Sequence, residues 1–141
     1  MIGIRSESVN SFRIKCFELV VGHHDEVEGP DMPPLFIDWE RLQAMYERRE
    51  FEVLVAYDVS DSGGTVIGYL AYLKHYPLHY KNKLFATTDS FYVRPEYRNK
   101  GVFKKLLKFA EGLLEEEGVY MLQVIHKGEG DTEVISKRRI Q

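Results

Sequence analysis

The segment Val93-Arg94-Pro95-Glu96-Tyr97-Arg98-Asn99-Lys100-Gly101-Val102-Phe103-Lys104-Lys105 ends one kind of structure and begins another. Before it, Leu84 to Val93 is rich in the aromatic and β-branched residues that suit a strand. Pro95 halts strand pairing, because it has no amide to donate. After it, Val102, Leu106, Ala110 and Leu113 recur at helical intervals, with Phe103, Leu107 and Leu114 beside them. A helix therefore opens at Gly101 and runs to Gly118. Val119 to Ile125 follows as a buried strand. Strand, loop, helix, strand is the crossover that joins parallel strands.

The loop also carries a local charge. From Arg94 to Lys108 there are six cations (Arg94, Arg98, Lys100, Lys104, Lys105, Lys108) against the single anion Glu96. Downstream, Glu111, Glu115, Glu116 and Glu117 reverse the sign. The first turn of a helix leaves backbone N–H groups without partners, and the macrodipole makes that end positive. A glycine at its mouth lets a phosphate approach the backbone closely. The same charges also suit a plain connection with a solvated basic helix face. Neither Gly-x-x-x-x-Gly-Lys-Ser/Thr nor Gly-x-Gly-x-x-Gly is present.

Upstream, Phe51 to Tyr57 and Thr65 to Leu73 form the arms of a hairpin around the turn Asp61-Ser62-Gly63-Gly64. Two helices precede them. Ser6 to Glu28 carries Val9, Phe12, Cys16, Leu19 and Val27 on one face, and Gly29-Pro30-Asp31-Met32-Pro33-Pro34 breaks it. A second helix starts with Asp38 as cap, places Trp39, Leu42, Met45 and Tyr46 at helical spacing, and ends near Arg49. The expected order is helix, helix, three meandering strands, helix, strand. This is an α/β or α+β fold, a mixed sheet flanked by helices, with residues 1–141 as a single domain.

Composition narrows the function classes. The chain has 141 residues, 44% hydrophobic and 29% charged, as expected of a globular fold. It has no run approaching the ~18 apolar residues of a membrane span. Met1 to Arg5 lacks a secretory apolar stretch, so a cytoplasmic location is expected. One cysteine, Cys16, excludes an internal disulfide. Of the five histidines, His75 and His79 are four apart, but no carboxylate–His helix motif frames them, and no metal is expected. A net charge of −3 argues against nucleic acid as partner, despite Lys137-Arg138-Arg139.

The spacing Val93-x-Pro95-Glu96-Tyr97-Arg98-x-x-Gly101-x-Phe103, followed by Leu106-Leu107, resembles the acetyl-CoA signature Arg/Gln-x-x-Gly-x-Gly/Ala of the Gcn5-related N-acetyltransferase (GNAT) superfamily. Arg98 and Gly101 match it, and Phe103 replaces the last small residue. Leu78-His79-Tyr80, the run Ala86 to Pro95, and His23-His24-Asp25-Glu26-Val27 are similar to members encoded by tailed bacteriophages, for which the location would be the host cytoplasm. The similarity spans roughly residues 16 to 128. It implies a mostly antiparallel twisted sheet and acetyl-CoA as acetyl donor. The CoA pyrophosphate would lie on Arg98, Asn99, Lys100, Gly101, Val102, Phe103 and Lys104. Phe91, Tyr92 and Val93 would pair with the pantetheine arm like an added strand. The superfamily usually continues with a helix and two closing strands. Here His126 to Gln141 leaves room for a short helix over Thr132 to Ile140 and no strand pair. The fifth strand would then be an uncovered apolar edge, which predicts a homodimer or another partner.

Acetyl transfer needs a base, an oxyanion donor and a proton for the thiolate. Asp89 is the leading base. It stands two residues before Phe91, hence on the same strand face, near where the thioester should sit. His79 and Tyr80 form a second catalytic pair on the connection entering that strand, and a backbone N–H near Phe91 suits the oxyanion. His23 and Glu26 share a helix face and border the acceptor region in the family, so they are expected to bind the amine. The expected activity is acetylation of a primary amine, on a small molecule or a protein, by direct transfer in a ternary complex. The alternative is a non-catalytic module of the same fold that acts through CoA or protein contacts.

Overall fold

The computed structural model describes residues 1–28, 31–60, 63–127 and 133–141. Among these the order is β1 (Ile2–Glu7), α1 (Val9–Val27), α2 (Trp39–Glu47), β2 (Phe51–Asp58), β3 (Thr65–His75), β4 (Phe85–Val93), a 3-10 turn (Pro95–Tyr97), α3 (Val102–Glu116), β5 (Met121–Lys127) and β6 (Glu133–Arg139). The strands form one sheet in sequential order. Every neighbouring pair is antiparallel except β4 and β5, which the α3 crossover makes parallel. The mixed α+β class and the seven elements from α1 to β5 stand in the expected order.

The sheet is covered on both faces, which is why residues 53–57 of β2 are an unbroken apolar run instead of an alternating one. Leu54 and Ala56 join Leu70, Leu106, Leu114 and Leu122 in the core beneath α3. Their neighbours Val53 and Val55 face the other way, against Phe12, Cys16 and Leu19 of α1. Full burial of such a side chain contributes about 1.5–3 kcal/mol. The Cys16 thiol is among them, pushed up to about 12 by burial, so it packs and does not react.

Both ends of the chain differ from expectation. The first helix does not begin at Ser6: residues Ile2–Glu7 are a strand paired with Asp58 to Val53, and Ser8 caps the helix by accepting from the Ser11 amide at 3.1 Å. Glu7, 9% exposed, ties the two together. It accepts from Tyr57 Oη at 2.5 Å, Ser11 Oγ at 2.8 Å and Lys15 Nζ at 3.3 Å. Burial opposes its charge, but these hydrogen bonds outweigh it and hold the carboxyl below its ordinary range.

At the other end, the expected helix is a strand. Glu133–Arg139 pairs antiparallel with the whole of β5. An exposed strand of this kind carries little apolar signal, since its own side chains face water and its backbone does the pairing. The fifth strand is therefore covered, and homodimer pairing through it has no free edge to use. Gly29 and Pro30 of the expected break, Asp61 and Ser62 of the expected turn, and Thr132 lie outside the described residues.

Two irregularities shape the centre of the sheet. Ala71 faces Ser90 and Tyr72 faces Thr88, so Asp89 is the extra residue of a β-bulge. The parallel ladder between β4 and β5 holds only from Phe85↔Met121 to Thr87↔Gln123. Its last tie is the Ile125 amide, which donates to Thr88 Oγ1 at 2.8 Å. Beyond that tie, β4 from Asp89 to Val93 has no ladder partner on its β5 side among the described residues.

Candidate functional site

Where β4 and β5 part, a cavity of about 560 Å³ opens beneath α1 and α2. Phe12 and Val20 of α1, Trp39 and Leu42 of α2 and Phe51 of β2 make its apolar wall. Asp89, Ser90 and Phe91 enter it consecutively from the bulge, and His23, His24 and Glu28 close it from the end of α1. The helical spacing that buries Phe12 and Leu19 also turns His23 toward the sheet.

Asp89 reaches water through the cavity, yet the protein around it dehydrates the carboxyl and raises it above its ordinary value, against a hydrogen bond from Ser90. The bulge overturns the expected shared face with Phe91. Phe91 packs its ring on Phe103 of α3, centroids 4.5 Å apart, whereas Asp89 lines the space under α1 and acts electrostatically on Tyr69. Alternation by two fails wherever an extra residue is inserted.

His23 Nδ1 lies 2.8 Å from Tyr69 Oη, and its ring stacks on Tyr92 at 5.2 Å and 22°. Burial lowers its pKa, opposed by Glu26 and Glu28, so the imidazole is favoured in its neutral form. Tyr69 is 2% exposed, and burial raises its phenol. It is therefore a fixed neutral hydroxyl between His23 and the bulge. Nothing in the sequence marks Tyr69, Trp39 or Ser90 as site residues, because all three read as ordinary strand or helix packing.

The second half of the site is the loop before α3. A pocket of about 250 Å³ is lined by Val93, Tyr97, Arg98, Asn99, Gly101 and the first turn of α3 as far as Lys104. Gly101 caps the helix at φ +78°, and Asn99 sits at φ +64°. These left-handed turns aim the chain so that the amides of the first helical turn face the pocket. Tyr97 anchors the loop by donating to Asp58 Oδ2 at 2.7 Å. Hydrogen bonds from Ser60 and Tyr97 hold that carboxyl down at about 2.

Arg98 is engaged otherwise than expected. Its guanidinium donates twice to the Glu26 carboxylate, both at 2.7 Å, donates through Nε to the Val93 carbonyl at 2.9 Å, and lies over the Tyr92 ring. Hydrogen bonding to Arg98 holds Glu26 below its ordinary range and raises the guanidinium in turn. The residue assigned to the anion and the residue assigned to the amine thus bind each other. His79 and Tyr80 are placed apart from both pockets. They sit in the exposed β3–β4 connection, where Tyr80 stacks on Phe85 at the opposite end of β4 from Phe91. Among the described residues no three His, Cys, Asp or Glu side chains converge as metal ligands. Among the same residues, no helix is long and apolar enough to cross a membrane.

The model of the acetyltransferase (GNAT) family matches residues 9–135. An aminoglycoside acetyltransferase from an uncultured soil metagenomic sample superposes with a TM-score of 0.69 at 20% identity, over 91% of this chain and 78% of that one. The ribosomal-protein-alanine N-acetyltransferase of Brucella melitensis biovar Abortus 2308 gives 0.66 at 18% identity, over 88% and 80%. The glucosamine-6-phosphate N-acetyltransferase of Arabidopsis thaliana gives 0.63 at 13% identity, over 92% and 84%. At such identities the likeness is one of fold. A comparison with curated proteins finds no match in sequence.

Proposed function

Because this chain belongs to the acetyltransferase (GNAT) family, we propose that it moves the acetyl group of acetyl-CoA to a primary amine by direct transfer in a ternary complex. The observation that carries the reading is the bulge at Asp89, which sets a carboxyl of raised pKa beside the stretch of β4 that, among the described residues, β5 leaves unpaired. An unpaired strand edge is what an extended amide-bearing chain such as pantetheine needs as a template. The amides at the start of α3, with Lys104 beside them, supply the positive end for the phosphates.

Acetyl-CoA supplies an activated carbonyl and a thiolate leaving group. The chain has to bring an amine to that carbonyl, remove its proton and steady the developing oxyanion. Asp89 accepts the proton, directly or through one water, and the raised pKa given by its surroundings makes it a better base than a solvated carboxylate. In this reading a backbone N–H of β4 near Phe91 donates to the oxyanion. His23, held neutral and oriented by Tyr69, borders the incoming amine. The alternative, a non-catalytic module of the same fold, rested on the short stretch after the fifth strand, and that stretch supplies one further strand, β6, to the sheet.

Asp89→Asn tests the reading. Turnover of acetyl-CoA with an acceptor amine, followed by mass spectrometry, should drop about 10²-fold or more, the scale of general-base loss, while CoA affinity by calorimetry stays unchanged. Activity of the wild type should fall as pH drops through the raised pKa of Asp89, and the variant should lose that limb. Stability moves the other way. A carboxyl whose pKa is higher folded than unfolded favours folding in its protonated form and loses that contribution as pH rises. The variant should therefore melt no lower than wild type at neutral pH. Wild-type turnover in Asp89→Asn would place the base elsewhere, with His23 next to be replaced.

A further inference from the structure

The walls of the larger cavity bear on which amine it takes. We infer, building on the acetyltransferase reading, that the acceptor is a primary amine carried on a compact apolar or aromatic body, with Asp89 meeting the ammonium and Trp39 and Phe12 taking the body.

Three observations converge on this chemistry. First, the aromatic side chains form a continuous row that ends at the carboxylate. Trp39 packs on Phe12 with centroids 6.3 Å apart, and Phe12 meets Tyr69 edge-on at 5.1 Å. Tyr69 and Asp89 line the same cavity. Leu42 and Phe51 widen the row into an apolar wall. A ligand that is apolar along its length and cationic at one end matches this gradient. A polyhydroxylated amine would strip water from groups that rings and methyls cannot satisfy.

Second, the charge around the cavity has one sign. Among the described residues lining it, Asp89, Glu28 and Glu133 are acidic and none is Lys or Arg. A phosphate or carboxylate on the acceptor would face these carboxylates without a counter-charge. Arg98 and Lys104 line the pocket before α3 instead, where the other substrate is read to bind. Third, about 560 Å³ is the volume of a site that encloses a small molecule.

Trp39 is the only tryptophan in the chain, so its fluorescence reports occupation of this wall independently of any turnover. Phenethylamine, phenethyl alcohol and phenylacetate present the same ring with a cationic, neutral or anionic end. The expected order of affinity in the full-length protein is amine, then alcohol, then acid, with at least about tenfold between the first two. An amino sugar and an amino-sugar phosphate should bind more weakly than phenethylamine. In Asp89→Asn the preference for the amine over the alcohol should disappear while the ring still perturbs Trp39. Acetylation of each amine is then measured separately with acetyl-CoA. Phenethylamine that binds as expected without being acetylated upholds the ligand class and overturns acetyl transfer. Acetylation of the amino sugar or its phosphate in preference to phenethylamine upholds acetyl transfer and overturns the ligand class. Equal affinity for amine and alcohol in the wild type overturns the role given to Asp89 in recognition.

Discussion

Gly101 shows how one residue can be needed for its backbone alone. At φ +78° it occupies the left-handed region, yet a Cβ built there meets nothing within 4 Å. The neighbouring chain therefore leaves the position open, and the constraint comes from the turn and from whatever approaches the α3 amides. Gly101→Ala should cost about 1–2 kcal/mol through left-handed strain, read from urea unfolding. Gly101→Asn separates strain from obstruction, because asparagine tolerates this conformation but extends a side chain over the pocket. It should melt close to wild type and bind CoA at least about tenfold more weakly by calorimetry. Unchanged CoA affinity in Gly101→Asn would mean that the ligand does not approach this backbone. The residue types here were readable, since a glycine after a basic loop and before an amphipathic run has few other uses. The role of Asp89 was only half readable. Its type and position were visible, but its face depends on an inserted residue that no local pattern announces.

Among elements, the contact between the end of α1 and the loop before α3 links the two halves of the site. Glu26 and Arg98 are separated by 72 residues and joined by two hydrogen bonds of 2.7 Å. A CoA phosphate arriving at the loop meets a guanidinium already matched to a carboxylate, and that carboxylate repels it. Glu26→Gln should relax the pairing and remove the negative charge. CoA affinity should rise about two- to fivefold, the scale of an exposed ion pair. Calorimetry that finds weaker binding instead would show that Glu26 positions Arg98 for the phosphate. Such a pairing cannot be read from spacing, because nothing local connects the partners. The same reasoning explains the missed strands. Ile2–Glu7 mixes two isoleucines with Gly3 and Arg5, and only β2, some fifty residues on, makes it a strand. Glu133–Arg139 is exposed throughout, so its pairing with β5 leaves no apolar trace in the sequence.

At the scale of the whole molecule, the sheet now has β1 and β6 at its edges, and β6 ends in Lys137, Arg138 and Arg139. Arg138 is also drawn back onto α3 by an ion pair with Glu111. A short edge strand rich in like charges resists pairing with a copy of itself. Light scattering at micromolar concentration should therefore give a monomer, and a dimer would point to pairing through Val134 and Ile135 in the less charged half of β6. What the sequence determined alone is what depends on neighbours in the chain. This covers the amphipathic helices with their caps at Asp38 and Gly101, the apolar inner strands, the crossover, and the positive loop that opens it. What only the tertiary structure decided depends on partners far along the chain. The bulge exposes Asp89 to the cavity, the parting of β4 from β5 opens that cavity, and β1 and β6 finish the sheet. The physical reason is that helix periodicity and turn chemistry are local energies. Register, splay and edge pairing are sums over backbone hydrogen bonds that any residue can make, and so leave little mark on the residues that make them.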